Sequence, residues 1–167
     1  MKKNNKGFSL IELIIAVAIL VVLSGLLAPQ LIKYVERSRE AKDMQTLDSV
    51  YVAVNTALTN EKAYDKFITD HTGTTTKLAA NDDILDSSKT DAFSKEVQSI
   101  LGKNKVELVS KRAKAKSGVV RVEVNTVTSG ADGVSGLEVG VYAGTEGNYN
   151  DGFLVGHVTA TKNTTTE

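Results

Sequence analysis

From Phe8 to Ala28 the chain is apolar apart from Ser9, Glu12, Ser24 and Gly25, and only Glu12 is charged. A helical run of about 20 such residues, rising ~1.5 Å each, spans the ~30 Å hydrocarbon core of a bilayer. Segment 8–29 is therefore predicted to be a transmembrane helix. Lys2, Lys3 and Lys6 stand directly before it. The positive-inside rule puts them in the cytoplasm and everything beyond Ala28 outside.

Beyond Pro29 the pattern changes from continuous to periodic. Leu31, Val35, Met44, Leu47, Tyr51, Val54 and Leu58 recur at spacings of three, four and their multiples, with Ser38 and Ala41 in the same stripe. This is one face of an amphipathic helix. Nothing between Gln30 and Asn60 stops it, so one helix of roughly 80 Å is expected from Phe8 to about Asn60. Residues 30–60 would pack on a globular domain. A free coiled coil is the alternative, although the pattern lasts under about four clean heptads. Pro29 cannot donate to the fourth preceding residue and Gly25 lowers helix propensity, so a kink or loosening is expected between them.

Residues 61–105 read as a polar connection holding one short helix. "TDAFSKEVQSILG" offers Thr90 or Asp91 as N-cap, an apolar face of Phe93, Val97, Ile100 and Leu101, and Gly102 as a stop. The preceding "TDHTGTTTK" reads as exposed loop. Period-two segments follow at Val106–Ser110, Val119–Thr128, Leu137–Tyr142 and Phe153–Thr161, separated by turns at Lys111–Gly118, Ser129–Gly136 and Ala143–Gly152. Region 106–167 is thus predicted to be an antiparallel meander of about four strands with one face on the long helix. The fold class is α+β.

Composition narrows the function more than the fold. There are no cysteines, which excludes a disulfide framework and thiolate metal sites, so the fold must close by strand pairing, packing or an ion. The two histidines, His71 and His157, are far apart and lack metal-ligand spacing or a nucleophile context. No catalytic residue and no cofactor are expected. "GADGVSG" precedes a strand rather than a helix, so it reads as a hairpin turn and not a phosphate loop. "TEGNYNDG" places Glu146, Asn148, Asn150 and Asp151 together as a candidate calcium loop. It departs from the EF-hand pattern at the glycine and at the closing acid, and an Asn/Gly turn is the plainer reading. The tail "NTTTE" reads as frayed, with O-glycosylation the alternative.

Lys103 to Arg121 holds seven basic residues against one acid, Glu107. Lys111, Arg112, Lys114 and Lys116 crowd its turn. Three readings are open: a solvated turn, a contact with acids such as Asp82, Asp83 and Asp86 on another subunit, or a patch for DNA or other anionic surfaces.

Glu12 is the residue the membrane pattern does not explain. An acid at the centre of a spanning helix costs roughly 2.5–3.5 kcal/mol, less near an end, and such residues usually have a partner. A cleavable secretory signal would have a core of about 7–15 residues ending in a small-x-small site. Here the core is longer, and Ala16-Val17-Ala18 lies in its middle. A plain signal anchor leaves Glu12 unaccounted for.

"KGFSLIELIIAVAIL" resembles the class III signal of type IV pilins, and the match extends from Lys6 to Gln30. The family pattern is a basic leader, a glycine, an aromatic residue that becomes the new N-terminus, a glutamate at its fifth position and an apolar helix. Ser9 stands where threonine is commoner. The resemblance implies a leader 1–7 cut between Gly7 and Phe8 by prepilin peptidase, with N-methylation of Phe8. It also implies a charge pair between Glu12 and the Phe8 amine of a neighbouring subunit, and a helix-kinking role for Pro29. The implied architecture is the pilin ladle. The implied partners are further copies of the chain in a helical filament, the membrane before assembly and the pilus assembly machinery, with the filament reaching the cell surface. With its leader removed, the chain would hold 17 basic against 20 acidic side chains, a net of −3, which does not suit a general nucleic-acid binder. A major type IV pilin is the favoured expectation. A minor pilin or a pseudopilin of a type II secretion or competence system is the alternative, and a membrane-anchored enzyme or receptor the other class.

Overall fold

The computed structural model describes residues 8–71, 73–129 and 134–163. The chain divides into two compact units, Met1–Ser38 and Arg39–Glu167, and helix α1 (Leu10–Ala57) contributes to both.

In the first unit α1 runs through Pro29 without a break. None of its described side chains is buried. The predicted amphipathic stripe is therefore only partly realised, since Leu31 is 63 % exposed and Val35 is 44 % exposed. Burial begins at Asp43 and continues through Leu47, Val50, Ala53, Val54 and Ala57, with Met44, Tyr51 and Leu58 half-buried. The helix ends at Ala57 rather than Asn60 because Asn60 starts another one: its Oδ1 accepts from the Lys62 and Ala63 amides at the head of α2 (Glu61–Asp70).

Helix α2 and the strand β1 (Thr75–Ala79) replace much of the predicted polar connection. α2 buries only Ala63 and Phe67, too few apolar positions to stand out as a period. β1 falls in the threonine-rich stretch read as loop. Threonine is β-branched and suits a half-buried strand, and here backbone pairing with β2 outweighs the polarity. A single π turn at Ala80–Ile84 follows, then α3 (Ala92–Leu101). Asp91 Oδ1 accepts from Ser94 N at 2.8 Å, and Gly102 takes the left-handed conformation at φ 62°. Of the apolar face expected there, Phe93 and Val97 are buried, Leu101 is half-buried and Ile100 is exposed.

The sheet has order β1-β2-β3-β4-β5. β2 (Val119–Ser129) and β3 (Val134–Thr145) form its longest pair, and β4 (Asn148–Gly156) returns through a tight Glu146-Gly147 turn. β5 (Thr161–Lys162) lies parallel to β4, so the meander is antiparallel except at its last pairing. Two expected boundaries therefore move. The Ala143–Gly152 turn shrinks because Gly147, at φ 80°, reverses the chain early. The strand expected at Phe153–Thr161 is β4, which starts at Asn148 and stops at Gly156. The expected Ser129–Gly136 turn falls partly on residues 130–133, outside the described residues, and "GADGVSG" begins there.

Val106–Ser110 is a correction. It alternates as predicted, with Val106, Leu108 and Ser110 buried, but it does not join the sheet. Side chains take its backbone groups instead: Asn81 brackets Val106 at 2.7 and 2.8 Å, and Asp43 accepts from the amides of Val109 and Ser110, both at 2.7 Å. Alternating burial therefore arises here without a neighbouring strand. Within the second unit Leu47, Val50 and Val54 of α1 share one core with Val120, Val122 and Val124 of β2 and Val139 and Val141 of β3.

Candidate functional site

The apolar half of α1 is the most unusual surface of the chain. Leu10, Ile14, Val17, Val21 and Leu26 are each more than half exposed, and their stretch is long and apolar enough to cross a membrane. Lone exposed apolar side chains are ordinary, but a continuous surface of them marks a lipid or protein contact.

Glu12 sits at the head of this helix, where Ser9 N donates to its Oε2 at 2.9 Å. Ser9 directly precedes the first helical residue, so Ser9-Leu10-Ile11-Glu12 has the spacing of a capping box. The same side chain that a bilayer would penalise meets an orphan amide at the positive end of the helix dipole. That S-x-x-E pattern was legible in the sequence but was overshadowed by the acid itself. Phe8 is the first described residue and is 87 % exposed; Gly7 lies outside the described residues. A Cβ at Gly25 would meet no atom beyond its own stretch of helix backbone, and Pro29 is inside the helix.

In the basic turn one residue bridges three elements. Arg112 is tied down: Nη1 meets Glu40 at 3.1 Å, Nη2 donates to the Asp151 carbonyl at 3.1 Å, and the guanidinium lies over the Phe153 ring. It links α1, the turn and β4, and its role is structural. Lys111 precedes it and Lys114 and Lys116 follow it around the turn, where Lys116 and Ser117 adopt left-handed φ angles of 53° and 59°. Such angles are costly for residues other than glycine. Of the acids considered as partners on another subunit, Asp83 accepts from Ala79 N and Asp86 from Ser88 N, both at 2.6 Å.

Each of the four candidate calcium ligands has a partner within the chain. Asn150 is buried, donates to the carbonyls of Ala113 and Ala115 and accepts from Asn163. Asn148 accepts from Thr161, Asp151 pairs with Lys162, and Glu146 faces Arg121. No group of three or more His, Cys, Asp or Glu side chains placed to hold a metal ion occurs among the described residues. The histidines are equally committed, His71 stacked on Phe67 with Nδ1 by the Phe67 carbonyl and His157 beside Glu138. A cleft of about 200 Å³ next to His71 contains Asp70, Asp83 and Asp91. Each already serves a structural bond, to Lys66, to Ala79 N and to Ser94 N respectively. Asp43 and Glu123, the two fully buried acids among the described residues, are not singled out by the sequence.

Comparison with known proteins bears on the helix. The prokaryotic N-terminal methylation motif matches residues 2–28. The chain is 38 % identical over 66 residues to the type IV major fimbrial protein FimA of Dichelobacter nodosus, covering 40 % of this chain and 41 % of that one. It is 34 % identical over 64 residues to the type IV major pilin protein PilA of Myxococcus xanthus, covering 38 % and 29 %. The matches thus span less than half the length of these relatives. No solved structure matches the chain. The motif and these relatives mark the chain as type IV pilin-like, and its long apolar helix and α+β second unit are consistent with a pilin fold.

Proposed function

We propose that this chain is the structural subunit of a type IV pilus, made as a membrane-anchored precursor and polymerised through the first half of α1 into a surface filament. The carrying observation is the uncovered apolar surface of that helix with a single carboxylate in its first turn. In the bilayer the surface faces lipid. In a filament the same side chains would pack on those of neighbouring copies, exchanging lipid for protein contacts. Cleavage after Gly7 would place a charged amine on Phe8, one residue from the amide that Glu12 now caps. Pairing of that amine with Glu12 of another copy would set the stagger between subunits, where charge contributes register more than stability. The bend or loosening proposed at Gly25 and Pro29 would let the helix adjust within the packed centre. A pseudopilin or minor pilin would share all of this, and abundance separates them, because a major subunit dominates sheared filaments.

Processing gives the direct test. Peptide mapping of filament material is expected to find a chain that starts at Phe8, carries an N-methyl group and lacks the first seven residues. Retention of Met1 would overturn the reading.

The lysines of the basic turn are proposed as a contact of the assembled filament, with acids of the next subunit or with an anionic polymer. Arg112 is kept out of the test because it joins Glu40, the Asp151 carbonyl and the Phe153 ring. Changing Lys111, Lys114 and Lys116 together to Gln is expected to leave the unfolding midpoint within a few degrees of wild type. Fragile filaments would identify a subunit contact, and a loss of salt-sensitive DNA retention an anionic partner. No change in either leaves only a solvated turn.

A further inference from the structure

The chain has no cysteine with which to fasten its C-terminal end, yet the segment after β4 is folded back onto the sheet. Its route requires a close approach at Gly140, where a Cβ would collide with the His157 carbonyl and the Val158 side chain. His157 N donates to the Val139 carbonyl at 3.3 Å. At the far end, Thr161 N donates to the Gly147 carbonyl at 2.9 Å and Asn163 N to the Tyr149 carbonyl at 2.8 Å. Between these anchors the bond that reaches the sheet is made by Thr159 N, which donates to Oε1 of Glu123 at 2.5 Å.

Glu123 is an unusual residue for that place. It lies on β2 between Val122 and Val124, which enter the core. Alternation therefore turns it to the opposite face of the sheet, where a charged side chain would ordinarily meet water. Instead it is fully buried. Asn125 Nδ2 donates to the same oxygen at 3.1 Å. The titratable groups facing this part of the sheet are Lys77, its cross-strand partner on β1, Tyr142 on β3, and the pair of Glu138 on β3 with His157 of the strap.

We propose that residues 157–163 form a strap that the Glu123 carboxylate latches across the outer face of the sheet, and that the strap opens as a unit, ahead of the sheet, when the latch is lost. The strap's other ties are the backbone bonds at its two ends and largely exposed side-chain contacts, His157 with Glu138, Lys162 with Asp151, Thr161 with Asn148 and Asn163 with Asn150, and it buries little apolar surface. Among residues 157–163 only Ala160 is buried, and β5 is two residues long, whereas β2 and β3 pair along eleven positions. Segments with few buried contacts open at lower free energy than the sheet they cover. A charged acceptor also makes hydrogen bonds roughly twice as strong as a neutral one, which suits an acid at the one central tie. Burial by itself would raise the Glu123 pKa, but the bonds from Thr159 and Asn125 and the charge of Lys77 outweigh it and hold the carboxyl below its ordinary value. The latch is therefore fully present above the ordinary glutamate range of ~4.3 and is lost as pH falls through the depressed folded value.

The test is peptide-resolved hydrogen exchange on the full chain in detergent, for wild type, Glu123→Gln and Glu123→Met. Gln keeps an acceptor without the charge, and Met keeps the length with neither. At neutral pH the protection of peptides covering 157–163 is expected to fall in the order wild type, Gln, Met, with Met exchanging at least about tenfold faster, while peptides of β2 and β3 stay protected. Unchanged strap protection in the Met variant overturns the latch. So does an equal loss across strap and sheet, which would make Glu123 a residue of global stability. Should the Met variant fail to fold, the Gln variant decides: lower strap protection than wild type with β2 and β3 unchanged supports the proposal, and unchanged strap protection overturns it.

Discussion

Glu12→Ala is expected to remove surface filaments almost entirely while leaving the precursor in the membrane at wild-type level or above. The two effects point in opposite directions because the side chain plays opposite parts in the two settings. In the bilayer the acid is a penalty of up to roughly 2.5–3.5 kcal/mol, less for a residue near the helix end, so its loss favours insertion. In the proposed filament the same acid meets the Phe8 amine of another copy. Its removal would leave that amine unpaired in an apolar centre, and breaking one side of a buried pair costs about 3–5 kcal/mol. The bond from Ser9 N to Glu12 adds a complication, since Ala also removes a helix cap worth on the order of 1 kcal/mol. Glu12→Gln separates the two roles. Its carbonyl can still accept from Ser9, so helix capping and insertion should be retained, but filament yield, measured by shearing and quantifying surface material, should fall as it does for Ala. Wild-type yield from the Gln variant would show that assembly uses the shape of the side chain and not its charge.

What could be read in advance divides along the range of the interactions involved. The apolar run, the helix that continues past Pro29, the caps of α3 at Asp91 and Gly102, and strand β2 all rest on neighbours within a few positions, so their patterns are visible in the sequence. Helix α2 and strand β1 were misread for a related reason. Each is short and polar, and each is held by its setting, α2 by burying Phe67 against Phe93 and β1 by pairing with β2. The 106–110 segment shows the opposite error, a true alternation whose hydrogen-bond partners are side chains. The acids Asp43 and Glu123 were beyond reach. Asp43 serves an amide 66 positions later and Glu123 one 36 positions later. At those separations an acid that anchors backbone looks like one that faces water. Of the candidate site residues, Glu12 was legible because its surroundings make a charge anomalous. Arg112, set among lysines, could not be told from them until Glu40 and Phe153 were placed beside it.

The second large effect is expected at Asp43. Asp43→Ala should lower the unfolding free energy of the second unit by ~3–5 kcal/mol, about the cost of two buried amides that lose a charged acceptor together with the space left behind. The carboxylate is fully buried on α1 and takes the Val109 and Ser110 amides on its two oxygens. Ser110 Oγ in turn accepts from Ala113 N at 3.2 Å, so the chain entering the basic turn is organised from this one side chain outward. The segment has no strand beside it to supply substitute acceptors. Asp43→Asn tests this account, because its one remaining oxygen can serve only one of the amides and its NH2 group would face the other. Its loss should fall between wild type and Ala. Denaturant titration of the full chain in detergent, followed by a probe on the second unit, measures the order. Hydrogen exchange should place the first loosening at 106–113, with α3 and β2 less affected. An Ala variant within about 1 kcal/mol of wild type would mean that the two amides find other acceptors when Asp43 is gone, and that the segment is held by the packing of Val106 and Leu108 alone.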